Sequence, residues 1–354
     1  MMAWPEWEMK KLEQVLETAE NNLRALELFS SYLHICPRFV SSEDIQSLTD
    51  DCGVDTEMAQ QLLVAAACGL DADANEQDRK LEESYFRQAI HLLDAGECRK
   101  DPYYQTIRMP EIKRGKWKMG YKTIAAYELF TSDDLKVLPD GREIPQTGFF
   151  TEDFRAPIVE ENEREWMTVT PSEINTMTAD ILAAYGKVAV FGLGLGYYAF
   201  MVSEKTNVSE VVVIERDPEV ISLFREFILP QFPHKDKITV VEADAYEYAG
   251  KMAEMHFDCA YVDIWHDVLD GVEMYLKMKR LEHLSPDIQF LYWIEPSMLA
   301  WLRGMALMEA AEKTEGPMLA CLGAIHSVDE LMEKLSDESL KKLAPVIPLE
   351  VARR

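Results

Sequence analysis

The chain has 354 residues, 36 of them basic and 63 acidic, for a formal net charge of −27, with 48% hydrophobic and 28% charged residues. That length is enough for two or three domains with a sizeable core, and a field of that sign repels phosphate backbones, which argues against DNA or RNA as a partner. The apolar run QLLVAAACGL is too short to span a bilayer, and the six cysteines (Cys36, Cys52, Cys68, Cys98, Cys259, Cys321) form no CxxC pair, which points to reduced thiols in a cytoplasmic protein without a disulfide frame or zinc site.

The opening MMAWPEWEMKKLEQ has no apolar core behind a basic start, so a secretory leader is not expected. Trp4, Trp7, Leu12, Val15, Leu16, Ala19, Leu23 and Leu26 recur at three- and four-residue spacing and predict one face of a long helix, with Pro5 tolerated at its start. SSEDIQSL carries a serine followed by acids, a helix-start signature. Leu81, Tyr85, Ala89, Ile90 and Leu93 predict a further helix, stopped near Gly96. Residues 1–101 therefore read as a helical N-terminal domain.

Between 102 and 169, Gly and Pro punctuate short β-branched and aromatic runs (KWKMGYKTIAAYELF, LPDGREIP, FFTEDFRAPIV), predicting a small β-rich segment with Asp140–Gly141 as a tight turn. From 170 to 354 helix and strand patterns alternate. PSEINTMTADILAAYG precedes the strand KVAVFG; EVVVIE, KITVVEA, FDCAYVDI and IQFLYWI are further strands, with PMLACLGAI as one more and VDELMEKLSDESLKKL as a surface helix. Such alternation implies right-handed βαβ units on a parallel sheet, a Rossmann-like doubly wound α/β fold. The continuous apolar character of KVAVFG and EVVVIE fits strands covered on both faces.

The sharpest local signal is Gly192-Leu193-Gly194-Leu195-Gly196 between a strand and a helix. Glycines there let the backbone turn tightly and a ligand lie close, with the helix N–H groups behind it. Nineteen positions after Gly196, Glu215 ends the next strand, where a carboxylate can accept hydrogen bonds from both hydroxyls of a ribose. The arrangement requires Glu215 to face the loop and the space above Gly194 to be open. GLGYYA also satisfies the dinucleotide fingerprint GxGxxA, which keeps a nicotinamide-dependent oxidoreductase as a rival, but Tyr197 and Tyr198 are bulky for that helix start and the loop lies in mid-chain.

On these residues, from about Trp166 to Asp270, the chain resembles the class I S-adenosylmethionine-dependent methyltransferases, and within them the spermidine-synthase-like branch, which shares the apolar residue at Val190. The resemblance implies a fold of the class I methyltransferase type. VVVIERDPEVISLF is similar to the family's second strand and assigns Glu215 to the ribose. ITVVEADAYEY resembles the third-strand motif and assigns Asp244 and Ala245 to the adenine side, so that Gly192, Gly194, Gly196, Glu215, Asp244 and Ala245 form the cofactor-binding set. FDCAYVDIWHD resembles the fourth strand and puts Asp263 at the reacting centre. The branch ends that strand with Asp, two small residues, Asp and Pro. This chain has Asp263-Ile264-Trp265-His266-Asp267, a departure that weakens an aminopropyltransferase reading and leaves Trp265 as a wall of the acceptor pocket.

The resemblance therefore implies S-adenosylmethionine, or its decarboxylated form, as cofactor, and methyl transfer to a small-molecule acceptor, an amine among the candidates. Aminopropyl transfer and a non-catalytic nucleoside-binding or scaffolding role are the alternatives. A neutral amine nucleophile needs a base, and Asp263, His266 and Asp267 are the candidate catalytic residues. His266 also fits a surface residue and Asp267 a helix N-cap. Trp293 and Glu295 end the next strand. No metal, nucleic-acid or membrane partner is expected, no GxSxG or P-loop occurs, and the sequence leaves a homodimer open.

Overall fold

The computed structural model describes residues 5–312 and 316–353. Helix α1 (Glu6–Ile35) is followed by α2 (Ser42–Cys52), α3 (Thr56–Ala67) and α4 (Glu76–Leu81). Ser41 starts α2 with a reciprocal capping box, Ser41 Oγ accepting from Asp44 N while the Asp44 carboxylate accepts from Ser41 N. Of the predicted α1 stripe, Leu12 is buried, whereas Trp7, Leu23 and Leu26 stand exposed; Trp4 lies outside the described residues. Leu12 joins one core with Val15, Leu16 and Ala19 packed against it, and further along α1 Ala25, Phe29 and Tyr32 enter a second. The helix expected to stop near Gly96 ends earlier. It runs through a π turn (Glu82–Phe86) to Ala89, and Ile90 then begins strand β1 (Ile90–Leu92).

Strands β2 (Ile112–Arg114), β3 (Trp117–Ile124), β4 (Phe130–Val137), β5 (Glu143–Phe149), β6 (Phe154–Glu161) and β7 (Arg164–Thr168) make up the β-rich stretch. They form two sheets, ordered β1-β5-β4 and β2-β3-β6-β7. The β4–β5 connection turns at Gly141, whose φ is +84° and whose N–H reaches Leu138 O at 3.0 Å, as Asp140–Gly141 predicts. Because β1 pairs with β5, the helical region and the β-rich stretch share a sheet.

The remainder alternates: α5 (Pro171–Ala183), β8 (Gly186–Phe191), α6 (Tyr197–Ser203), β9 (Val208–Glu215), α7 (Pro218–Leu223), β10 (Ile238–Glu242), α8 (Ala245–Ala249), β11 (Cys259–Val262), α9 (Val268–Glu282), β12 (Gln289–Tyr292) and α10 (Glu295–Ala311). Strands β8–β12 form one parallel sheet in the order β10-β9-β8-β11-β12. This is the Rossmann-like doubly wound topology, and the strand order reverses between β8 and β11. Side chains alternate between two cores. Ala189, Phe191, Val212, Ile214, Ala260 and Val262 face one, and Val188, Val190, Val211, Val213, Cys259 and Tyr261 face the other. Double coverage explains why these strands read as unbroken apolar runs.

PMLACLGAI is not a strand. It forms helix α11 (Pro317–Leu322), with Pro317 at its start and Met318, Leu319 and Leu322 buried on one side. Proline suits a first helical turn, and the segment has no β-branched residue before Ile325 to favour a pleat. The expected surface helix is split into α12 (Val328–Lys334) and α13 (Asp337–Leu343), because Ser336 stops one and caps the other. No described helix is long and apolar enough to cross a membrane.

Candidate functional site

In a parallel sheet the carboxyl ends of the strands meet along one edge, with neighbours roughly 4.8 Å apart. In β10-β9-β8-β11-β12 order that edge presents Asp244, Glu215, Gly192, Asp263 and Trp293, each just beyond or at the end of its strand. Backbone bonds fix the alignment: Gly192 N–H donates to Ile214 O at 2.9 Å, and Asp263 N–H to Phe191 O at 2.9 Å. All five residues line one cleft of about 2750 Å³, far larger than the roughly 300–1,000 Å³ of a usual small-ligand pocket.

The glycine loop turns as its composition requires. Gly192 has φ +93°, and a Cβ there would lie 1.9 Å from Asp263 O, so only glycine lets β8 leave the sheet beside β11. Gly194 differs from expectation. The space on its Cβ side is taken by Met167, whose Sδ would stand 2.2 Å from an added Cβ and accepts the Leu195 N–H at 3.1 Å. Gly192, Leu193 and Gly194 all border the cleft, with the Met167 thioether packed on the Cβ side of Gly194. Tyr197 and Tyr198 are buried, Tyr197 bonding Asp101 at 2.9 Å and Tyr198 stacking on Tyr261 at 3.6 Å. Helix α6 begins at Tyr197, directly after the loop, with Gly196 at its N-cap.

Glu215 is half-buried and turned onto the loop. One oxygen accepts Leu193 N–H at 3.2 Å, and the other accepts Arg216 N–H and Asp217 N–H, both at 2.8 Å. A carboxylate has about four lone-pair sites, so capacity for a hydroxyl donor remains. Asp244 caps α8 through Tyr246 N at 2.9 Å and Glu247 N at 3.0 Å, and with Ala245 it borders the same end of the cleft.

Two strands away, burial pushes Asp263 up to about 7, and no side-chain hydrogen bond among the described residues offsets that shift. Beside it are two carboxylates that local sequence patterns did not single out. Glu173, in the first turn of α5, is pushed well above the usual carboxylate range by burial and then by the charges of Asp263 and Glu165. Glu165, on β7, is paired with Lys122 at 2.7 Å and Thr168 Oγ1 at 2.6 Å. PSEINTM was legible as the helix before the loop, but a lone acid in a first turn reads as dipole complement. Only the packing of α5 across the sheet brings Glu173 to Asp263.

His266 stacks its ring on Trp166, centroids 6.0 Å apart at 17°. Asp267 is a helix cap: its Oδ1 accepts Leu269 N–H at 2.7 Å and Asp270 N–H at 3.3 Å, and Asp270 returns the bond to Asp267 N. That geometry ties Asp267 to the start of α9 and leaves Asp263, half-buried at the end of β11, as the carboxylate of this run that is free of a capping role. Trp265 is 5% exposed and stacks on Tyr292, so it is mainly core and only its edge borders the cleft. Trp293 donates from Nε1 to Thr176 Oγ1 at 3.0 Å, while Glu295 bonds Tyr275 and Lys341. Ile294 has φ +48°, which is strained for a β-branched residue, and it sits between β12 and α10 on the cleft wall. Among the described residues no cluster of three or more His, Cys, Asp or Glu is placed to hold a metal ion.

No protein-family model matches the sequence, and no curated protein matches it. Among solved structures, the chain is similar to a candidate O-methyltransferase from Klebsiella pneumoniae, at 18% identity over 29% of this chain and 46% of that one, TM-score 0.24. It is similar to spermidine synthase from Thermotoga maritima, at 16% identity over 39% and 52%, TM-score 0.28, and to MnmC2 from Aquifex aeolicus, at 14% identity over 43% and 55%, TM-score 0.26. The matched stretches span about half of those chains. The fold itself rests on the strand order and the parallel pairings.

Proposed function

We propose that this chain is a transferase that uses an S-adenosyl nucleoside as donor and a small amine as acceptor, with methyl transfer from S-adenosylmethionine as the leading reaction. The observation that carries the reading is Glu215 turned onto the glycine loop, two strands from the half-buried carboxylate of Asp263. Glu215 would hold the sugar, with Asp244 and Ala245 at the base and the backbone of Gly192 and Leu193 beneath. Two inter-strand steps, roughly 10 Å, separate the sugar position from Asp263. The fit is direct at the sugar end. At Gly194 it requires Met167 to move, which its three rotatable bonds allow.

The donor supplies a carbon activated by an adjacent sulfonium; this chain's residues hold the acceptor in line and take its proton. An ammonium ion entering the cleft meets Glu165, Glu173 and Asp263. Asp263 Oδ, poised near pH 7, accepts the proton that makes the amine nucleophilic. Trp166 and His266 wall the same space with aromatic faces, which attract cations. The carboxylate cluster equally supports aminopropyl transfer from the decarboxylated donor, so this stays as the second reading.

Titration calorimetry with S-adenosylmethionine, its decarboxylated form, S-adenosylhomocysteine and NAD tests the assignment. Binding of adenosyl-sulfur ligands and not NAD is expected. Glu215→Ala should weaken that binding by about 10- to 100-fold, the cost of losing hydrogen bonds to a charged group. Met167→Ala should bind at least as tightly as the parent. NAD binding alone, or an affinity that Glu215→Ala leaves intact, sinks the reading.

A further inference from the structure

The cleft continues well past the reacting centre. Beyond β12 an arm of it is walled by α1, β4 and α10. Along the sheet edge Glu215 and Asp244 lie on one side of Asp263 and β12, which leads into α10, on the other.

The arm is apolar where a folded chain would ordinarily cover itself. Leu23 and Leu26 of α1 are each 50% exposed, Met308 of α10 is 50% exposed and Val137 of β4 is 37% exposed, and all four border this one cavity. Isolated exposed apolar residues are normal; four converging from three elements onto a concavity mark a binding surface. Gly304 adds a separate observation. It sits inside the 17-residue helix α10, where glycine costs about 1 kcal/mol relative to alanine. It has no positive φ, and a Cβ there would meet nothing within 4 Å. Backbone conformation and close packing, the usual reasons for a helical glycine, are both missing, and what its absent side chain leaves is room in the arm.

We infer that the acceptor is a primary amine carrying an extended alkyl chain, with its ammonium end at Glu165, Glu173 and Asp263 and its tail laid along the arm between α1, β4 and α10. This rests on the transferase reading for the amine's fate, but not for its binding. Two features select this occupant: Glu173 and Asp263 are like-charged neighbours that an ammonium ion would relieve, and the exposed apolar residues border the same cavity as those acids. An unbranched alkyl tail is the simplest shape that reaches from one to the other.

The test is calorimetric binding of butylammonium and octylammonium to the full chain, with and without S-adenosylhomocysteine. Each buried methylene should strengthen binding by about fourfold, so octylammonium should bind at least tenfold tighter than butylammonium. Gly304→Phe, which fills open space, and Leu26→Asp, a change on an exposed face, should each pull the octyl-to-butyl ratio toward one. Equal affinities for the two amines, or a ratio that both variants leave unchanged, overturn the inference whatever the donor does. Chain-length-dependent binding that the variants abolish, in a protein that binds no adenosyl ligand, keeps the arm and rejects the transferase.

Discussion

Under the proposed transferase reading, Asp263 sets the pH behaviour. A base that must be ionised and is held near 7 makes kcat/KM fall as pH drops through about 7. Asp263→Asn should lower turnover by about 10²- to 10⁴-fold with donor affinity unchanged, as measured by initial rates beside calorimetry. Stability runs in the other direction. A carboxyl whose folded pKa is raised binds its proton more tightly folded than unfolded, so its contribution is present below about pH 4 and lost as pH rises through about 7. Asp263→Asn should therefore stabilise the protein at pH 8, on the order of 1–3 kcal/mol once cleft water is allowed for; a lower Tm at pH 8 would contradict the burial that sets its proton affinity. Glu215 and Asp263 could be read from the sequence because each is defined by its own strand end. Glu165, Glu173 and Met167 could not, because their relation to the site depends on how β7 and α5 cross the glycine loop.

At the scale of elements, the parallel strands were legible because two-sided burial removes polar residues from them, and the start of α2 because capping is a local exchange of hydrogen bonds. PMLACLGAI misled because a short apolar run suits a buried strand or a buried helical turn equally, and the Pro317 start decides it. Asp267 shows the same ambiguity in a functional setting. Asp267→Ala should cost about 0.5–2 kcal/mol through loss of the α9 cap, with kcat near that of the parent. A turnover loss as large as that of Asp263→Asn would instead place Asp267 at the reacting centre. The predicted α1 stripe holds at Leu12, Val15, Leu16 and Ala19, which pack on a core, and departs from it further along the helix. Its period was right, but Leu23 and Leu26 line an open cavity instead of a core.

Over the whole molecule, Arg303 joins three parts. Its guanidinium, on α10, bonds Glu143 of β5 and Asp337 at the start of α13, and donates to Leu335 O at 3.1 Å. Arg303 and Glu143 are largely buried, so removing one partner strands a charge. Arg303→Ala should destabilise by about 3–5 kcal/mol in denaturant titration, while an apolar triple replacement of Arg303, Glu143 and Asp337 costs much less. An Arg303→Ala loss under 1 kcal/mol would mean that water satisfies the pair.

The first helix is also held by the far end of the chain. The buried Glu8 carboxylate accepts the Val328 N–H at 2.8 Å across 320 positions. A ribosome adding roughly 5–20 residues each second needs roughly 16–64 s to traverse that separation. For that interval the newborn segment has no docking site for its acid, and the apolar residues around it are open to chaperones or to neighbouring chains. Yield during synthesis should therefore respond to translation speed and to holdase supply more than the finished protein's resistance to heat would suggest.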